Sequence, residues 1–239
     1  VEMAMRYGNP SIKSGLEKLR KSKVSDLTVM PLYPQYASSS NGSSVEEVLK
    51  HISRWWAIPD FRVRGQFFDN PKYIEAFVER GKQYRWKDYN HVIFSFHGLP
   101  VRQVDKVYDD GPCDDHDCHT EMTDDNRLCY RATSYATARS IASGLGMSEG
   151  DYTVSFQSRL DKNWLTPFSD VVVEERAKLG DKKLLIFSPA FVADCLETIV
   201  EIGVEYQEIF EEHGGEKVQL VESLNDHPKW VECVANLVK

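Results

Sequence analysis

No stretch of this 239-residue chain approaches the roughly 20 consecutive apolar residues that a helix needs to cross a bilayer. Basic residues are outnumbered, 29 Lys and Arg against 37 Asp and Glu, giving a formal charge of −8. Without a basic stripe, the chain lacks the electrostatic footprint of a nucleic-acid binder. Cysteine is scarce and odd in number, at five. The opening VEMAMRYGNP has no basic stretch followed by an apolar one, so it does not read as a secretory leader. The two features together point to a cytoplasmic protein with free thiols or thiol-ligated metal, not a disulfide framework. Nucleotide loops are missing too. SNGSS (40–44) lacks the lysine of a P-loop, no G-x-G-x-x-G follows a strand, and no serine sits in G-x-S-x-G.

What is present is an alternation of apolar strands and helices. PSIKSGLEKLRKS (10–22) puts Ile12, Leu16 and Leu19 on one helical face, and Pro10 suits a helix start. A strand from Leu27 to Met30 leads to a Ser/Asn/Gly loop at 37–44. There Ser44 and Glu47 stand as a capping box for a helix over 45–57. Further strands are predicted at 61–68, 91–96, 152–158, 182–189 and 217–223. Further helices are predicted at 71–86, 127–147, 168–180, 193–214 and 227–239. Segments such as VIF and LLIF are apolar on both faces, the mark of a parallel sheet covered on both sides. The expectation is therefore α/β, with two doubly wound parallel-sheet units joined at the polar helix 71–86.

In such sheets ligands bind at the C-terminal ends of the strands. Four stretches project there: Tyr33 to Ser44, His97 to Val101, Gln157 to Trp164, and Ser188 to Glu197. Each mixes aromatic groups with a few polar ones, which suits a large flat apolar ligand with polar edges. His97 stands where HVIFSFHGLP leaves its strand, and an imidazole there can bind a metal or accept a proton. A satisfied core or turn histidine is the competing reading. Glu197, Glu201 and Glu205 recur every four residues, which puts their carboxylates on one helical face. Like charges so placed destabilise a helix by about 0.2–0.5 kcal/mol per pair, so the row needs a cation or open solvent. A solvated face accounts for Glu201 and Glu205 as readily as an ion path does.

PLYPQYASSSNGSS, FSFHGLP, SFQSRLDKNWLTPFSD, and SPAFVADCLETIVEIGVEY followed by ESLND closely resemble ferrochelatases, the enzymes that insert ferrous iron into protoporphyrin to make haem. The likeness runs in order from about residue 6 to the end. It implies two flavodoxin-like, chelatase-type units, 1–86 and 87–223, with a porphyrin cleft between them and the segment 224–239 packing back on the first. By the resemblance His97 is the catalytic histidine and Glu197 the essential glutamate, together handling pyrrole protons and iron. Glu201 and Glu205 match an acidic ladder for metal or protons. Arg6, Tyr7 and Tyr33 match pocket residues, and Trp164 and Phe191 match its apolar wall. Cys195 stands where some members carry histidine. The substrates implied are ferrous iron and protoporphyrin or coproporphyrin, with no nucleotide and with peripheral membrane contact. No basic amphipathic helix supports that contact, and the oligomeric state is left open.

Two departures stand out. Family members open with an apolar strand and a glycine-rich turn resembling L-x-N-L-G-x-P. This chain opens inside the first unit, so an incomplete first unit and an inactive fragment are expected. Residues 111–124, GPCDDHDCHTEMTD, look like an insertion, and Cys113, Cys118 and Cys129 fall close together around it. Such thiols suit a 2Fe–2S cluster or zinc, or form a polar surface loop with free thiols. Some ferrochelatases hold a 2Fe–2S cluster with ligands near the C-terminus. Here the position matching one ligand is Ser38 and no C-terminal cysteine trio follows. A cluster would need a different set, with Cys233, Cys195, His119 or a residue outside this chain as fourth ligand. Two other functions fit the same pattern: a cobaltochelatase of tetrapyrrole synthesis, and a non-catalytic two-lobed metal or tetrapyrrole carrier.

Overall fold

The computed structural model describes residues 1–109, 111–113 and 116–239. Asp114 and Asp115 of the expected insertion lie outside the described residues. Helices and strands alternate as the pattern predicts. α1 (Ile12–Lys21) leads to β1 (Asp26–Val29), and α2 (Ser43–Ile52) leads to β2 (Asp60–Val63). The two strands pair in parallel, Asp26 opposite Asp60 and Val29 opposite Val63. Ile12, Leu16, Leu27, Val48 and Ile52 fill the small core between helices and strands.

After α3 (Pro71–Lys82) comes a second, four-stranded parallel sheet. It contains β3 (His91–His97), β4 (Tyr152–Gln157), β5 (Lys183–Phe187) and β6 (Lys217–Leu220). Their order is β4-β3-β5-β6. Its helices are the short α4 (Val101–Val104), α5 (Tyr130–Gly144), α6 (Ser169–Lys178), α7 (Tyr206–Glu212) and α8 (Pro228–Leu237). The apolar runs of β3 and β5 are buried on both faces because helices cover both. Phe94, Phe96, Phe156 and Phe187 point into a core shared with α3 and α5. Phe94 and Phe187 stack at 5.0 Å. The alternate residues Ile93, Leu184 and Ile186 pack with Val173, Ile202 and Phe210 on the opposite face. Full burial of each such side chain is worth about 1.5–3 kcal/mol, so this sheet anchors the larger share of the apolar core.

Three local expectations are corrected. Ser44 is not a helix cap: α2 begins one residue earlier, after a wide turn over Ser38–Gly42, and Ser44 is buried inside it. The turn is held instead by Asn41, whose side chain accepts from the Ala37 N–H at 3.3 Å and donates to the carbonyls of Tyr33 and Gly65. The helix expected over 71–86 is shorter, ending at Lys82, and its inner face is apolar. Tyr73, Ala76 and Phe77 are fully buried, and α3 lies so close on the second sheet that a Cβ on Gly81 would meet Phe187 at 2.8 Å. The helix expected from 193 starts late, and over Glu197–Glu205 it is a wide helix bonded i to i+5.

Candidate active site

His97 ends β3, and the sheet order makes that end a switch point. The chain leaves β3 for β4 on one side, and β5 then pairs on the other. The imidazole Nδ1 lies 2.6 Å from the Gly98 carbonyl oxygen. A carbonyl only accepts, so Nδ1 carries a hydrogen, and in the neutral ring the lone pair is on Nε2. The backbone is pinned as well: buried Tyr130 donates its hydroxyl to the His97 carbonyl at 2.9 Å. Gly98 donates its N–H to the Gln157 carbonyl at 2.7 Å. Only glycine fits there, because a Cβ would stand 2.8 Å from that carbonyl and 3.1 Å from the Trp164 ring. Trp164 and Phe191 flank the imidazole, with ring centroids 6.4 and 6.1 Å away. The Trp164 loop is laced to the histidine loop by Leu165 N–H to Leu99 O at 2.9 Å and Val101 N–H to Asn163 O at 3.0 Å.

Glu197 opens the wide helix. Its carbonyl accepts from Gln157 Nε2 at 2.7 Å, and Gln157 is the parallel-register partner of His97. The His97 loop is thus tied to the main chain of buried Gln157, and Glu197 to its side chain. The Gln157 side-chain Oε1 in turn accepts from Ser95 and Ser188 at 2.8 and 3.2 Å. Glu201 does not stand free in a row. Its carboxylate accepts from Ser158 N–H at 2.7 Å, Ser158 Oγ at 2.6 Å, Gln157 Nε2 at 3.1 Å and Tyr206 OH at 3.1 Å. Glu205 is exposed to solvent. Burial and then the Glu201 charge push the Tyr206 phenol far up, so it stays a donor. Cys195 is likewise held as a thiol, by burial and then by its hydrogen bond to Glu197. Asp194 turns away to bind Asn225 and Ser223. Burial opposes its charge, but those donors and Arg80 outweigh it and lower its pKa.

Arg6, Tyr7 and Tyr33 form a second group beside the first sheet. Arg6 Nε donates to Ser43 Oγ at 2.7 Å, and its guanidinium lies 4.7 Å over the Tyr7 ring. Burial and then the neighbouring Tyr7 raise the Tyr33 pKa, and both phenols remain substantially exposed. One concavity, of about 890 Å³, is lined by Phe68, Met122, Arg127 and Arg139 and not by His97. A smaller one of about 340 Å³ reaches Leu99 and Tyr130 from Tyr36, Ala37 and Leu128.

The structure gathers the three insertion cysteines. Cys113, Cys118 and Cys129 are buried and their sulfurs lie within 4.8 Å of one another, Cys113 and Cys118 at 3.7 Å. Cys113 and then Cys129 donate to Cys118, which lowers its pKa. None of the three fourth ligands suggested within the chain joins them. Cys195 is beside Glu197, Cys233 donates to Asn70 at 3.4 Å, and His119 lies 3.2 Å from Asp117. A 2Fe–2S cluster needs four ligands, two on each iron. Among the described residues three close on one point, so the set on hand does not fit it.

The sequence reading missed Gln157, Ser158, Tyr130 and Gly98 as parts of the site. One signal was available: SFQS sets polar residues at the end of an otherwise apolar strand, and the parallel register puts Gln157 beside His97.

A histidine at the switch point of a parallel sheet, beside an aromatic wall and joined through Gln157 to the Glu197 backbone, stands where chelatase-type proteins gather their site. Solved structures agree on the fold. SirB from Bacillus subtilis with Fe3+ covers 99% of this chain and 81% of its own, at TM-score 0.60 and 17% identity. The sirohydrochlorin chelatase SirB from Bacillus subtilis subspecies spizizenii, in complex with cobalt, aligns at TM-score 0.61 and 14% identity, covering 100% of this chain and 76% of its own. The ferrochelatase family model matches residues 1–239. Ferrochelatase from Pseudomonas putida (strain KT2440) is 40% identical over 244 residues, covering 99% of this chain and 72% of the relative. Ferrochelatase from Legionella pneumophila (strain Philadelphia 1) is 39% identical, covering 100% and 71%. The chain belongs to the ferrochelatase family.

Proposed function

We propose that this chain inserts ferrous iron into protoporphyrin IX to give protohaem. The observation that carries this is His97 itself, with Nδ1 committed to the Gly98 carbonyl and Nε2 left as a base between Trp164 and Phe191. The macrocycle lies against those two rings, with Arg6, Tyr7 and Tyr33 on the opposite side. As Fe2+ enters, two pyrrole N–H bonds break and two protons leave, so neutral porphyrin plus Fe2+ gives neutral haem plus two H+. His97 Nε2 accepts a pyrrole proton. Glu197 delivers iron or takes the second proton, its position fixed through Gln157. The 2Fe–2S expectation is not carried forward, because the three thiols do not supply its ligand set.

The test is an anaerobic assay that follows the loss of protoporphyrin fluorescence on adding Fe2+. His97→Ala and Glu197→Gln should each slow insertion by roughly 10²–10⁴-fold, the range lost with a positioned acid or base. Full-rate insertion by His97→Ala would make the assignment wrong. A wild-type chain that binds porphyrin without metalating it would be a carrier. Faster insertion of Co2+ than Fe2+ would make it a cobaltochelatase, a reading that the relatives named ferrochelatase weigh against.

A further inference from the structure

Three strands of the second sheet turn from apolar to polar on one face as they near the site. Alternate residues share a face, so β3 presents Ile93, Ser95 and His97 there, and β4 presents Thr153, Ser155 and Gln157. β5 presents Ile186, and Ser188 follows just beyond its end. Ser95 stands opposite Ser155 in the parallel register. Ser169, the first residue of α6, lies over the pair. Ser95, Ser155 and Ser169 are all 0% exposed. A hydroxyl so deep is costly unless it is bonded. The Oγ atoms of Ser95 and Ser169 lie 2.8 Å apart, and so do those of Ser155 and Ser169. Ser95 Oγ is also 2.8 Å from Gln157 Oε1.

Counting hydrogens gives this row of hydroxyls a direction. The other end of the Gln157 amide faces the Glu197 carbonyl at 2.7 Å and the Glu201 carboxylate at 3.1 Å. Both only accept, so the amide nitrogen stands there and Oε1 faces the serines. Oε1 only accepts, so Ser95 donates to it. Ser95 has a single hydrogen, so Ser169 must donate to Ser95. By the same count Ser155 donates to Ser169. The row runs one way, from Ser155 through Ser169 and Ser95 to Gln157, and bonds in such a row polarise one another. The amide it orients is the one that holds the start of the wide helix, and the Gln157 main chain holds the His97 loop. We propose that Ser95 and Ser169 are positioning residues for iron insertion: through Gln157 they set where Glu197 stands relative to His97. Neither serine touches the substrates. The inference rests on the metal-insertion reading of His97 and Glu197.

The experiment is a set of kinetic cycles with Fe2+ and protoporphyrin. Ser169→Ala and Ser95→Ala should each lower kcat roughly 10-fold, the loss typical when a group that orients a site residue is removed. The KM for porphyrin should not change. The double variant should lose no more than either single one, because both break the same row. In a Gln157→Leu background Ser95→Ala should cost nothing further. Additive losses would overturn the proposal. So would full kcat in Ser95→Ala, the smaller change, which carries the test if Ser169→Ala does not fold. A second measurement is independent of turnover. In the 15N-labelled wild type the Gln157 amide protons, identified as the pair missing from Gln157→Leu, should exchange with solvent far more slowly than those of exposed glutamines. In Ser95→Ala they should exchange faster. Rapid exchange in the wild type would overturn the proposal even if the protein metalates porphyrin. A wild type that fails to metalate would overturn the function proposed for His97 and this role with it. Full-rate metalation by Ser95→Ala would overturn this role alone.

Discussion

β3 begins and ends with histidine, and the two behave in opposite ways. His97, at the C-terminal end, spends Nδ1 on a carbonyl and keeps Nε2 for chemistry. His91, at the N-terminal end, is 6% exposed, with Nε2 2.8 Å from Thr153 Oγ1. Burial, and then the Arg176 charge, pull its pKa down to about 4, against which Asp181 and Asp151 work only weakly. The unfolded chain therefore takes up a proton near pH 6.5 that the folded chain refuses until about pH 4. This contribution to stability is fully present above pH 6.5 and is lost as pH falls toward 4. In a series of urea midpoints over that window, His91→Gln should flatten the acid-side loss while leaving iron insertion unchanged. An unchanged slope would assign the loss to carboxylates. HVIFSFH alone does not distinguish its two histidines. The distinction was legible because ligands gather at the C-terminal ends of parallel strands, and only His97 stands there.

At the scale of elements the wide helix Glu197–Glu205 is where reading and structure part most. Its acidic residues four apart read as one face, because a helix is assumed to be α. Instead Glu201 is held at the β4 end and Glu205 is left in solvent. The bonds that impose this come from Gln157 and Ser158, some forty residues away in sequence, so no local pattern could show them. Ser158 sits at φ 60°, a left-handed conformation costly for serine, and two of its groups donate to Glu201. Glu201→Gln puts an amide donor among donors. It should cost about 1–3 kcal/mol in urea unfolding. It should also slow iron insertion, because Gln157 then no longer holds the Glu197 backbone squarely. Ser158→Gly tolerates the same backbone without strain and should be the milder change. A Glu201→Gln variant that kept its full stability would restore Glu201 to the role of a free carboxylate on an ion path.

For the molecule as a whole the question is what joins the small first sheet to the larger second one. Packing places α3 there and α8 upon it. Trp230 lies against Phe67 at 5.5 Å and Tyr73 at 6.3 Å, and Tyr73 donates to the Pro189 carbonyl at 2.6 Å in the loop that carries Phe191. Around this apolar centre run ion pairs of Lys72 with Glu232, Lys229 with Glu75 and Glu79, and Arg80 with Glu222. Most of these charged side chains are at least a third exposed, so each pair is worth about 0–1 kcal/mol and is screened by salt. Trp230 is 5% exposed, and truncating a buried tryptophan costs about 3–5 kcal/mol. Trp230→Ala should therefore lower the urea midpoint far more than Glu232→Gln or 1 M NaCl. The defect should also reach the site through Tyr73 and Pro189, raising the KM for porphyrin before the fold is lost. If high salt instead destabilised the chain as much as Trp230→Ala does, the ion pairs and not the tryptophan would be what holds α8 to α3.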